Sequence, residues 1–155
     1  MDFQLNLKLE TVEQAIQADP PMLAPSETVR QAFGALKSAN HGCVLICSVG
    51  GALEGIFTER DALRYMAERA DLEQSISSIM TSSPQSVSIS DSIGVAIERM
   101  AGGGFRRLPV VDDDNKPIGV LNVSGLLHFL VEHFPATIYN LPPNPHHKTT
   151  EREGA

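Results

Sequence analysis

The sequence predicts an α/β fold of the α+β kind, two pseudo-symmetric strand-helix-strand-strand-helix repeats packed as one unit. Three observations point there. An ungapped self-alignment at an offset of 64 residues lays residues 12–69 over 76–133, with Pro20 over Pro84, Ser26 over Ser90, Ala32 over Ala96, Gly55 over Gly119, Leu63 over Leu127 and Glu68 over Glu132. The apolar pattern repeats with it: Val29, Ala32, Phe33 and Leu36 lie over Ile93, Ala96, Ile97 and Met100, each set with helical i, i+3, i+4, i+7 spacing. Each half also carries a short apolar run followed by turn-forming residues.

Taken in order, each repeat opens with a short extended piece, at residues 22–24 and 86–89. Thr28 and Ser92 then stand as N-caps of a helix, because their hydroxyls can accept an otherwise unpaired amide of the first turn. Apolar runs at 43–47 and 108–111 read as buried strands. Turns follow at Gly50-Gly51 and at 112–115, then second strands ending at Phe57 and Leu121. An amphipathic helix closes each repeat, from Thr58 to about Ala70 and from Asn122 to about Phe134, with Pro135 as a stop signal. The division expected is an N-terminal extension (1–11), a first repeat (12–70), a second (71–134) and an extended, mobile, proline-containing tail (135–155). A unit of about 60 residues is marginal alone, so the two copies should pack together and share a core.

The chain has 155 residues, 12 basic against 19 acidic, and a net charge of −7. That balance argues against nucleic acid as a partner, since sequence-independent affinity there comes from cations neutralising phosphates. No run approaches the ~20 apolar residues of a membrane span, and Met1-Asp2-Phe3 does not begin a signal peptide, so a cytoplasmic protein off the membrane is expected. Cys43 and Cys47 are the two cysteines; four apart on a strand they lie roughly 13 Å from one another, too far for a disulfide. The five histidines have no metal-ligand spacing with them or with each other, and no metal site is expected.

The strand ending at Phe57 and the helix beginning near Thr58 leave amides at the positive end of a helix dipole, an anion site in waiting. Thr58 can add a hydroxyl for a phosphate, and Asp61, one turn on, can accept two ribose hydroxyls. Thr58-x-x-Asp61 is equally a capping box that needs no ligand. In the second copy the matching residues are Asn122 and Gly125, so the helix can still be capped but the carboxylate is gone.

These residues carry a resemblance. Each half resembles a cystathionine β-synthase (CBS) domain, and the tandem, over residues 12–134, resembles a stand-alone CBS pair or Bateman module. The second copy is similar in Phe105-Arg106-Arg107-Leu108-Pro109-Val110-Val111-Asp112 and Lys116-Pro117-Ile118-Gly119-Val120-Leu121. The first is similar in Gly55-Ile56-Phe57-Thr58-Glu59-Arg60-Asp61, the family's adenosine nucleotide signature. The resemblance implies a ligand between the repeats, with Thr58 on phosphate and Asp61 on ribose. Across the cleft it points to Met80 and Phe105 against the base and to backbone near Gln85 reading its edge, with plain core packing as the other reading of Met80 and Phe105. Arg106 and Arg107 would clamp phosphates, although pairing with Asp112–Asp114 or surface glutamates is their other reading. Gly42 and Cys43, small and uncharged at the matching first-copy positions, would let a ligand approach the backbone. Gly125 predicts one occupied site per chain instead of two.

The function expected is that of a regulatory or sensory module, not an enzyme. It requires no cofactor and takes AMP, ADP or ATP as ligand. The resemblance implies a homodimer, with Leu63, Met66, Leu127 and Leu130 as candidate contacts, and output through that dimer or a separate regulated protein. Two other readings stand beside it: a ligand-free interaction scaffold, and a binder of another adenosyl ligand such as S-adenosylmethionine. A catalytic set of Asp61 with His41 or Arg107 lacks a paired carboxylate, a nucleophile elbow or a phosphate loop.

Overall fold

The computed structural model describes residues 7–68 and 71–134. The strands are β1 (Gln17–Ala18), β2 (Met22–Leu23), β3 (Cys43–Cys47), β4 (Leu53–Thr58), β5 (Thr81–Ser82), β6 (Val87–Ser88), β7 (Arg107–Val111) and β8 (Pro117–Asn122). The helices are α1 (Val29–Ser38), α2 (Glu59–Ala67), α3 (Ile93–Gly103) and α4 (Val123–His133), and 3-10 turns at Val12–Gln14 and Ile76–Ser78 lead into β1 and β5. The expected helix starts hold, with Thr28, Thr58, Ser92 and Asn122 all accepting a first-turn amide. The closing helix of the first repeat is shorter than expected. It ends at Ala67, with Glu68 as its C-cap. Pro135 and the proline-containing tail lie outside the described residues.

Two four-stranded sheets form, in the orders β2-β3-β4-β5 and β1-β8-β7-β6. The lead-in strand of each repeat is thus exchanged: β1 pairs antiparallel with β8 (Gln17 opposite Val120), and β5 pairs with β4 (Thr81 opposite Ile56). The exchange is symmetric down to single bonds. Thr11 bridges Ser92 as Ser75 bridges Thr28, and the amides of Val12 and Ile76 donate to the carbonyls of Asp91 and Glu27. Val12 consequently sits in the second repeat's core and Ile76 in the first's. Even the register irregularity recurs, between Ile46 and Cys47 in one hairpin and Val110 and Val111 in the other.

All five residues of β3 are buried because both of its faces are covered. Alternation sends Ile46 toward α1 and α2, and Cys43, Leu45 and Cys47 toward the other sheet, where they meet Val111 and Val120. On β7 the same parity places Arg107 and Pro109 on the strand face shared by Val111. A polar side chain is thereby aimed into the space between the sheets.

Glycine is required where the lead-ins cross. A Cβ on Gly55 would run into the Met80 side chain, and one on Gly119 would lie 3.0 Å from the Gln17 carbonyl and 3.1 Å from Ile16 Cδ1. That close approach accounts for the Gly55/Gly119 identity.

Candidate functional site

A cleft of about 1010 Å³ runs between the repeats. Its first half is walled by Thr58 and Asp61 at the start of α2 and by Ile56, and on the opposite side by Pro84, Gln85 and Phe105. Its second half has Asn122 and Gly125 at the start of α4, with Gln17, Asn40 and His128. Arg106 and Arg107 line the same cleft, as does Gly42.

At the start of α2 the box is closed. The Thr58 amide donates to Asp61 Oδ2 at 2.9 Å, the Thr58 hydroxyl donates to the same oxygen at 2.9 Å, and the Asp61 amide donates back to Thr58 Oγ1 at 3.3 Å. These bonds pass through Oδ2 and leave Oδ1 out of the box. A ligand phosphate at Thr58 would have to take the hydroxyl proton away from Asp61.

Arg107 is held from two sides. Its Nε–H donates to the His41 carbonyl at 2.8 Å, and Nη2 stands 3.5 Å from Glu59 Oε2. Its guanidinium lies so close over Gly42, at φ +69, that any Cβ there would overlap it. The space above Gly42 therefore belongs to Arg107, where a ligand's approach was expected, and the arginine is paired with a glutamate. Arg106 is exposed at the cleft.

Two of the expected site residues are elsewhere. Met80 lies over Gly55 and packs against the core beneath α1 and α2, so Ile56 and Pro84 supply the apolar wall. Cys43 is fully buried between the sheets, and burial pushes its thiol up to about 11, with the Arg107 charge opposing that rise and the Glu59 charge adding to it. Phe105 is 38% exposed, its ring folded over Gly103.

In the second half Asn122 and Gln17 are bound to each other and to nearby backbone. Asn122 Oδ1 accepts the Gly125 amide at 2.6 Å, Asn122 Nδ2 donates to Gln17 Oε1 at 3.1 Å, and Gln17 Nε2 donates to the Asn40 carbonyl at 3.0 Å. Gln17 was not singled out from sequence and His41 only as a catalytic partner for Asp61, yet the offset of 64 makes them the counterparts of Thr81 and Phe105. His41 Nε2 meets the Ala18 carbonyl at 2.8 Å while its Nδ1 is buried without a partner, so neither nitrogen is presented to Asp61 as a base.

A family model for the CBS domain matches residues 12–68 and again 76–132. The chain belongs to the CBS domain family. As a CBS pair it is 29% identical over 119 residues to the CBS domain-containing protein YhcV of Bacillus subtilis, covering 76% of this chain and 84% of that one. Among solved structures it resembles the CBS-domain protein ATU1752 from Agrobacterium tumefaciens (TM-score 0.67, 27% identity, 76% and 91% covered). It also resembles PAE2072 from Pyrobaculum aerophilum, a CBS domain protein complexed with AMP (TM-score 0.71, 25% identity, 79% and 98% covered). The matched region spans 67% of a relative from Acidianus ambivalens, but 34% and 15% of longer relatives from Chlamydia muridarum and Schizosaccharomyces pombe. Among the described residues no helix is long and apolar enough to cross a membrane.

Proposed function

We propose that this CBS pair is a cytoplasmic regulatory module that binds one adenine nucleotide, AMP, ADP or ATP, in the Thr58–Asp61 half of the cleft. The observation that carries the reading is the juxtaposition across that half: a capped helix start bearing a carboxylate faces Gln85 and Phe105 of the other repeat, with a guanidinium beside it. Asp61 Oδ1 would take ribose hydroxyls, the α2 amides, Arg106 and Arg107 the phosphate, and Phe105 and Ile56 the base. The AMP complex of PAE2072, a protein of the same fold and family, supports the choice of ligand class. Asn122, Gln17 and Gly125 argue against a second equivalent ligand, since the polar groups there satisfy one another and no carboxylate is present.

Output would run through a homodimer or a separate regulated protein, since a ligand shifts such an equilibrium by its differential affinity for the two states. Leu63, Met66 and Leu127, exposed at 70, 62 and 56%, remain candidates for the dimer contact. Leu130 does not, because it is buried with Leu126 and Phe129 on the inner face of α4.

The closed capping box favours one competing reading, a ligand-free scaffold in which Thr58 and Asp61 only start a helix. Calorimetric titration with AMP, ADP, ATP and S-adenosylmethionine separates the two. One adenine nucleotide per chain, lost in Asp61→Asn, supports the sensor. No heat with any ligand, on protein shown by denaturing extraction to carry none, supports the scaffold. S-adenosylmethionine as the sole binder shifts the ligand class.

A further inference from the structure

We infer that Glu59 is a specificity-determining residue, an internal anion that a ligand's phosphate must displace from Arg107. The inference rests on the nucleotide reading of the cleft and adds what that site discriminates.

Arg107 is not a free cation waiting for phosphate. Its Nε–H is spent on the His41 carbonyl, and the guanidinium lies against Gly42, whose missing Cβ leaves it room. What remains available is the outer edge, and there Nη2 meets Glu59 Oε2 at 3.5 Å. Glu59 is the first residue of α2, beside Thr58, so its carboxylate also matches the positive end of the helix. The two features that would attract a phosphate to this half, the arginine and the helix start, are therefore both already answered by carboxylates of the chain: Glu59 on Arg107, Asp61 on the Thr58 amide.

The Glu59 side chain is 63% exposed and Arg107's 26%. The glutamate can swing into water while the arginine stays pinned, so the anions exchange on a fixed cation. The cost of that exchange falls on phosphate-bearing ligands alone, through the lost pairing and through repulsion between the phosphate and any carboxylate left nearby. A nucleoside, which touches neither, is unaffected. The device is confined to one half of the cleft: the 64-residue counterparts of Glu59 and Arg107 are Val123 and Cys43, neither of them charged.

The test is calorimetric titration of the wild type and Glu59→Gln with AMP and with adenosine. Glutamine keeps the shape and removes the charge, and adenosine reports whether the fold and the ribose site survive. An exposed or half-exposed ion pair of this kind corresponds to a factor of a few in affinity. The expected result is AMP binding about 2- to 5-fold tighter in Glu59→Gln, with adenosine unchanged. If both ligands bind and their affinity ratio is the same in the two proteins, or if both shift together, the assignment to Glu59 is overturned while the nucleotide reading survives. If neither ligand binds either protein, the nucleotide reading fails and the inference falls with it.

Discussion

At the start of α2 a threonine and an aspartate close a box that leaves one carboxylate oxygen over; at the start of α4, 64 residues on, an asparagine caps the same turn and a glycine stands where the aspartate was. The backbones correspond strand for strand, through the exchanged lead-ins and the matching irregularities. What differs is where the polar groups are directed. In the second half Asn122, Gln17 and the Asn40 carbonyl satisfy each other, whereas in the first half Asp61, Glu59 and Arg107 form pairs that an anion with hydroxyls could replace. A duplicated fold can thus keep its architecture while a few side chains change what its cleft presents, because caps and cores need only local chemistry.

The largest expected effect breaks the comparison at its most distinctive residue. Asp61→Asn retains an acceptor for the Thr58 amide, so the cap survives and the unliganded protein should keep its stability to within about 0.5 kcal/mol. Losing charge-assisted bonds to ribose should weaken nucleotide binding about 100-fold, since such bonds contribute about 1.5–3 kcal/mol each. A titration showing less than about threefold loss would remove Asp61 from the site.

Next come the two crossing glycines, each predicted to cost about 2 kcal/mol on substitution by alanine, measured by urea unfolding. Gly119→Ala presses on the Gln17 carbonyl of β1 and should disturb the second half while leaving nucleotide affinity within about twofold. Gly55→Ala displaces Met80 beside β4, the strand that delivers Thr58, and should lower that affinity as well. Equal effects of the two on binding would mean that the halves are not separable.

A smaller effect contrasts Cys43 with its counterpart Arg107. Burial raises the Cys43 thiol from 9.0 to about 11, so the folded state holds its proton where the unfolded chain loses it. With the folded pKa above the unfolded one, the stabilisation is complete below pH 9 and disappears as pH rises toward 11. Stability should therefore drop by about 1.4 kcal/mol between pH 7 and pH 10, and Cys43→Ala should lack that part of the slope. Identical pH profiles would show the thiol to be less buried than its place between the sheets implies.

Most of this architecture was legible in sequence because its determinants are local. Helical spacing at Val29, Ala32, Phe33 and Leu36, hydroxyl or amide caps at each helix start, and turn residues after each apolar run all act within a few positions. The exchange of lead-ins was not legible, since two-residue strands such as Gln17–Ala18 carry no alternation from which to read a partner a hundred residues away. Nor were the surroundings of two expected site residues. Met80 turns inward because Gly55 makes room for it across β4, and Arg107 meets Glu59 because β7's parity aims it between the sheets. Thr58, Asp61, Gln85 and Phe105, by contrast, do share one half of the cleft.

The smallest expected effect asks what excludes a second ligand. Gln17 bridges Asn122 and the Asn40 carbonyl, and its counterpart Thr81 lies exposed on β5. Gln17→Ala should cost about 0.5–1 kcal/mol, since two bonds are lost and water can replace them, while Thr81→Ala should stay within about 0.5 kcal/mol of the wild type. Removing Gln17 also opens the second half without supplying a carboxylate. If Gly125 is the reason that half is silent, Gln17→Ala still binds one nucleotide per chain. If the glutamine is the obstacle, stoichiometry rises to two, and the amides at the start of α4 would then suffice to hold a nucleotide without any side chain on its ribose.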